Sequence, residues 1–283
     1  MATLVTQVKV FLKKRCPPPL IILIRVLRWA LTGYGALERS FTYAHQDSTA
    51  YWKDRALGKG QARVLWPNDA YNQRYRTIQR EILTNFVMGM KKGAEVLDIG
   101  CGIGIVSVML TEINPGLRID AVDFPEMIKG ATAENARRQI RYIDSSAEDY
   151  VDPHKRYELI LSSACFSAIR NIETMERAIS NCVKMLATDG IILMMDPFHG
   201  WNYLARAKYS SQRLIRFMRG QGATLIMKSG VLFWPHREWL AMSDCTSEEL
   251  EKRFAQGENL LRLLGKHLWA DYKVLAFKKM EVH

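Results

Sequence analysis

Residues 94–110 read AEVLDIGCGIGIVSVML, in which Gly100, Gly102 and Gly104 stand at alternate positions between two apolar runs. Ala94–Ile99 has the length and apolar content of a buried strand, and Ile105–Ile113 is long enough for a helix. A turn without side chains lets the backbone take positive φ and approach a ligand closely. The helix that follows presents unpaired N–H groups at its start. The turn therefore predicts a ligand seated on it, and its neighbours decide which kind. Asp98 directly precedes the first glycine, and the spacing is Gly-x-Gly-x-Gly rather than the longer dinucleotide fingerprint. No Lys-Ser/Thr pair of a phosphate loop follows. The next run, LRIDAVDFPEMI (117–128), reads as a second strand ending at Asp123, where a carboxylate can accept both hydroxyls of a ribose.

VLDIGCGIG (96–104), AVDFPEMI (121–128) and RYIDSSAEDYV (141–151) together resemble the first three motifs of the class I S-adenosylmethionine-dependent methyltransferases. The resemblance covers roughly residues 68–279. It implies a Rossmann-like α/β fold with a seven-stranded, mostly parallel sheet in the methyltransferase order, and S-adenosylmethionine as cofactor. It places Asp98, Gly100, Cys101, Gly102 and Gly104 along the cofactor, Asp123 on its ribose and Phe124 beside it. Ser146 and Ala147 fall beside the adenine, Ser146 where the family more often carries an acid, and Ser162 falls at the end of the fourth strand. YELILSSACFSAI (157–169) suits that strand. NIETMERAISNCVKMLATDGIILMMDPF (171–198) suits a helix, a glycine turn and a fifth strand ending at Asp196, and YKVLAFKKM (272–280) a closing strand.

Around this centre, NDAYNQRYRTIQREILTNFVMGM (68–90) reads as a helix capped by Asn68, with Ile78, Ile82, Leu83 and Phe86 at helical spacing. Residues 40–66 are rich in Tyr, Trp and His and read as a lid or a packed connector. The organisation expected is an N-terminal extension and lid over 1–67 and a methyltransferase domain over 68–283. Within that domain, an aromatic-rich insertion at about 200–246 reads as a helical cap over the acceptor, with Thr246 or Ser247 opening a further helix.

Methyl transfer from a sulfonium is an in-line displacement, so the protein must align the nucleophile and take the proton from a hydroxyl. The candidates beyond the fourth and fifth strands are Ser162, Ser163, Cys165, Asp196, Phe198, His199 and Trp201, with His199 the base and Asp196 either a second catalytic residue or the holder of the turn through its carboxylate. VDFPEMI is also similar to a variant found in dimeric small-molecule O-methyltransferases, which makes a homodimer a candidate partner. Their catalytic His-Asp pair follows the fourth strand, where this chain has SSACFSAIRNIE and no histidine. The Asn/Asp-Pro-Pro-aromatic motif of adenine-N6 enzymes is absent there too, which argues against a nucleic-acid acceptor. A C-methyltransferase for a quinone or polyketide ring, and a non-catalytic cofactor-binding module, remain as alternatives.

Charge locates a second feature. The 283 residues carry a formal net charge of +11. Residues 1–93 hold 16 Lys/Arg against 5 Asp/Glu, and residues 94–283 hold 24 of each. LVTQVKVFLKKR (4–15), three prolines and LIILIRVLRWALTGYGAL (20–37) precede the first acid, Glu38. The second run is too short and too charged to span a bilayer. It reads instead as part of an amphipathic pair lying on an anionic membrane surface, with the acceptor a hydroxyl of a small molecule, lipid or lipid-linked glycan. Five scattered cysteines without a CxxC predict no metal site and reduced thiols, hence a cytoplasmic protein peripheral to the inner face of a membrane.

Overall fold

The computed structural model describes residues 48–169, 171–198, 209–241 and 246–280. The basic runs 4–15 and 20–37, and with them the membrane reading of the N-terminus, lie outside the described residues, as do His199 and Trp201. Seven strands form one sheet: β1 (Glu95–Ile99), β2 (Arg118–Asp123), β3 (Ile140–Asp144), β4 (Tyr157–Ser163), β5 (Leu186–Asp196), β6 (Ala223–Phe233) and β7 (Ala270–Lys279). Their order is β3-β2-β1-β4-β5-β7-β6. Pairings among β1 to β5 are parallel, and β7 runs antiparallel between β5 and β6. This is the Rossmann-like arrangement the motifs imply.

Among the described residues the helices are α1 (Ser48–Ala56), α2 (Asp69–Val87), α3 (Ile105–Ile113), α4 (Pro125–Asn135), α5 (Ile172–Met185), α6 (Ser211–Gly220), α7 (Trp234–Leu240), α8 (Ser247–Leu264) and α9 (Lys266–Trp269). Four begin where a short polar side chain satisfies an orphan amide: Asn68 accepts from Tyr71 N, Asn171 from Thr174 N, Ser210 from Arg213 N and Thr246 from Glu249 N. The period-2 pattern of the strands sorts the core into two layers. Val96, Leu159, Leu193 and Ala276 pack on the side of α2 and α3, whereas Leu97, Ile160, Ile192 and Leu275 pack on the side of α5 and α6. Among the described residues no helix is long and apolar enough to cross a membrane.

The expected helical cap over 200–246 is corrected within its described part. α6 is followed by β6, which pairs with β7 from Ala223 to Phe233 and belongs to the sheet. Exposure alternates from Thr224 to Ser229 before four buried residues, Gly230 to Phe233, carry the strand into the core. A half-exposed edge strand has this signature. The aromatics Phe233 and Trp234 are core residues rather than the walls of a separate cap.

Candidate active site

Gly100, Gly102 and Gly104 take φ of +74°, +58° and +80°, so the turn uses the left-handed backbone that glycine alone enters without strain. Gly100 N and Cys101 N donate to Val122 O at 2.8 and 3.0 Å, which folds the turn back over β2. At the end of that strand, Asp123 accepts from Gly102 N on one carboxylate oxygen and from Phe124 N on the other, both at 2.7 Å. The acid and the turn are thereby locked to each other.

Side-chain atoms would have no room on these glycines. A Cβ on Gly100 would lie 2.4 Å from Cys165 Cβ, and one on Gly102 2.7 Å from Val64 Cγ1. On Gly104 it would lie 2.3 Å from Tyr142 Oη. Gly100, Cys101 and Gly102 line a cleft of about 1070 Å³, partly open to solvent, at the carboxyl edge of the sheet. Gly104 does not line it: this glycine is required by Tyr142 and by the left-handed start of α3.

Asp98, Asp123, Phe124, Ser146 and Ala147 line the cleft as well. Asp98 is 1% exposed and accepts from Ser107 Oγ at 2.6 Å. Burial pushes its carboxyl up to about 6, with the Ser107 bond opposing, the Asp123 charge adding and the Arg76 charge opposing. Burial likewise pushes Asp123 up to about 6, against the two amide bonds that favour its ionised form. Ser146 turns its hydroxyl onto Asp149 Oδ2 at 2.7 Å, and Glu148 brings a carboxylate to the cleft one residue beyond Ala147.

Two expected site residues sit elsewhere. Asp196 is fully buried and accepts from Ser162 Oγ at 2.9 Å, Ser167 N at 3.0 Å and Ser167 Oγ at 2.7 Å. Neither Asp196 nor Ser162 lines the cleft. Their bond ties β4 to β5, and the bonds from Ser167 hold the 3-10 turn Phe166–Ala168 against the end of β5. Asp196 therefore holds the turn that follows β4, and burial raises its pKa. His199, the expected base, lies outside the described residues.

Sequence reasoning missed Arg76, on α2. It lines the cleft, donates to Gln79 Oε1 at 2.6 Å and, more weakly, to Gln61 Oε1 at 3.4 Å. Among the described residues no carboxylate forms an ion pair with it, although Asp98 feels its charge. Gln79, fixed by Arg76, donates in turn to Ser163 Oγ at 2.8 Å and Tyr75 Oη at 3.2 Å. The available signal was chemical: Asn72, Arg76 and Gln79 sit among Tyr71, Tyr75 and Leu83 on the inward face of α2, where polar side chains must be satisfied.

Residues 48–66 lie across the glycine turn. Trp52, Val64 and Leu65 line the cleft. Lys53 pairs with Glu126 at 3.4 Å and the buried Arg63 with Glu134, so the segment is held to α4 twice. Its far end is fixed to α2, since Trp66 N donates to Asn72 Oδ1 and Asn72 Nδ2 donates to Trp66 O.

Asp98, Asp123 and Arg76 thus bring two carboxyl groups and a guanidinium to one cleft, beside the apolar wall of Phe124 and Ala147. Comparison with known proteins bears on the family of this fold. A family model described as a methyltransferase domain matches residues 71–234, more than half of the chain. A malonyl-[acyl-carrier protein] O-methyltransferase of Ilyobacter polytropus is 34% identical over 106 residues, 37% of this chain and 38% of that protein. A tRNA1(Val) (adenine(37)-N6)-methyltransferase of Pedobacter heparinus is 33% identical over 87 residues, 29% of this chain and 37% of that protein. The chain thus spans well under half the length of these relatives. The N-methyltransferase NodS of Bradyrhizobium japonicum WM9, solved with S-adenosyl-L-homocysteine, shares the fold with a TM-score of 0.58 at 14% identity, over 83% of this chain and 100% of that one. Motifs, sheet order and family match agree, and the chain belongs to the class I S-adenosylmethionine-dependent methyltransferase family.

Proposed function

We propose that the chain moves the methyl group of S-adenosylmethionine onto an oxygen of a small-molecule, lipid or lipid-linked acceptor near a membrane surface. The observation that carries the cofactor half is Asp123 held by the bare backbone of Gly102, in a turn that accepts no side chain. Bound there, the cofactor supplies a methyl group activated on sulfonium sulfur. Each Asp123 oxygen keeps a lone pair beyond its amide bond, enough for two ribose hydroxyls. Phe124, Met127 and Ala147 wall the adenine side. Asp98 and Arg76 offer opposite charges to the ammonium and carboxylate of the methionine end. The segment 48–66 is the lid, with Trp52 and Val64 keeping water from the reacting atoms.

On the acceptor side, Ser163 accepts from Gln79 and keeps its own proton to offer an acceptor oxygen, beside Ala164, Cys165 and Tyr272. His199 is the proton acceptor proposed for a hydroxyl substrate. Similarity to a protein named as an O-methyltransferase supports an oxygen acceptor. The similarity to a tRNA-modifying enzyme is not followed to an RNA base, because Ser163-Ala164-Cys165-Phe166 stands where an Asn/Asp-Pro-Pro-aromatic motif would. Calorimetry with S-adenosyl-L-homocysteine followed by mass spectrometry of cell extracts tests the proposal. The expected result is binding, and a lipid or small metabolite heavier by one methyl group on oxygen. Methylated nucleosides without such a metabolite would overturn the acceptor half, and absence of binding the cofactor half.

A further inference from the structure

α8 ends at Leu264, Gly265 turns the chain at φ +98°, and α9 leads from Lys266 into β7. On this corner Leu263 is 81% exposed, Leu268 55% and Leu264 49%. Scattered exposed leucines are ordinary, but three on one glycine corner form a patch that folding does not account for. Arg262 and Lys266 are exposed among them. The stretch Asn259–Ala270, NLLRLLGKHLWA, contains Arg262, Lys266 and His267 and no acid. The flanking acids are turned inward: Glu258 accepts from Leu232 N at 3.0 Å, and Asp271 is buried against Arg237.

The position of the corner adds a reason. β7 leaves it at Ala270, opposite Phe233 at the carboxyl end of β6, and two residues later Tyr272 lines the cleft. Because β7 is antiparallel, its first residues share the sheet edge at which β5 ends, Lys273 standing opposite Asp196. The leucines therefore stand at the same edge of the sheet as the cleft. Protruding aliphatic side chains flanked by outward cations match the two layers of an anionic bilayer, hydrocarbon below and headgroup phosphate above.

We propose that the α8–α9 corner is a docking surface for an anionic phospholipid bilayer, with Leu263, Leu264 and Leu268 entering the acyl region and Arg262 and Lys266 meeting the phosphates. This surface is independent of the N-terminal runs and of the methyl-transfer reading. The test is flotation of the full chain with vesicles of equal parts phosphatidylcholine and phosphatidylglycerol, together with amide hydrogen exchange across 259–270. Vesicles are expected to protect 259–270, and L263S/L264S/L268S to lower vesicle affinity at least about tenfold, since burying even one leucine is worth that much. R262Q/K266Q should weaken binding to the mixed vesicles and leave phosphatidylcholine vesicles unaffected. S-adenosyl-L-homocysteine binding reports folding of each variant, and its absence in the wild type would sink the cofactor reading alone. Should the triple variant misfold, the exchange pattern of the wild type decides. Flotation with 259–270 unprotected, no flotation at all, or a corner protected without vesicles in a dimer that the triple substitution dissociates would each overturn the proposal.

Discussion

Asp123 serves two partners with one carboxylate: its backbone bonds shape the glycine turn, and its remaining lone pairs face the cleft. Replacing it with alanine removes a charged acceptor, and S-adenosyl-L-homocysteine affinity should fall by about 1–3 kcal/mol in calorimetry. An unchanged affinity would remove Asp123 from the ribose. The pKa shifts of Asp98 and Asp123 set a pH dependence. Both are raised to about 6, above their unfolded value, so the protonated forms stabilise the free protein. That contribution is present below the unfolded pKa and lost as pH rises through about 6. Above that point the free fold carries two buried ionised acids, which a bound ammonium and diol then compensate. The thermal shift caused by S-adenosyl-L-homocysteine should therefore be larger at about pH 7.5 than at about pH 5. In Asp123→Asn the difference should shrink, and the same shift at both pH values would contradict the assignment. Gly104 depends on conformation instead. Gly104→Ala should destabilise by about 1–2 kcal/mol for its φ of +80° and by more for the approach to Tyr142, read in urea unfolding.

The elements that sequence made legible are those whose signals are local. The strand expected over 94–99 runs 95–99, and the helix expected over 105–113 has those bounds, because a glycine turn with a buried run on each side admits one reading. Asn68 opens α2 as expected and Thr246, one of the two residues expected, opens α8, since N-caps need only a side chain and an amide three residues on. What sequence concealed depends on distant partners. β6 was hidden because its outer half alternates while its inner half is apolar throughout, and only pairing with β7 gives it a place. Asp196 at a strand end admits a catalytic or a turn-holding reading, and only the approach of Ser162 and Ser167 shows its oxygens engaged in the turn. Arg76 belongs to a helix whose inward face was read for its apolar residues alone. The segment 48–66 shows the same dependence, being anchored at Trp66 and latched to α4 by Lys53–Glu126 and Arg63–Glu134. If this segment closes the cofactor in, E126Q/E134Q should speed dissociation of S-adenosyl-L-homocysteine at least about two- to fivefold in stopped flow, the scale of two ion pairs whose carboxylates are solvent-accessible. A release rate untouched by both substitutions would make the segment a fixed wall.

At the scale of the molecule, the basic runs that precede the described residues lead in sequence to Ser48, four residues before Trp52 at the cleft, and the leucine corner lies at the same edge of the sheet. These two features answer differently to salt. Deleting residues 1–33 removes Lys9, Lys13, Lys14, Arg15, Arg25 and Arg28 and no acid. Each such cation near an anionic leaflet contributes about 1 kcal/mol, and that contribution is screened within a Debye length. Leucine insertion is not screened. The full chain should accordingly lose vesicle affinity steeply as salt rises, whereas the shortened chain should bind more weakly at low salt and with a much shallower slope. S-adenosyl-L-homocysteine affinity should be the same in both, because the described residues lining the cleft begin at Trp52. Equal slopes would assign the electrostatic attraction to the folded domain and leave the basic N-terminus without a membrane role.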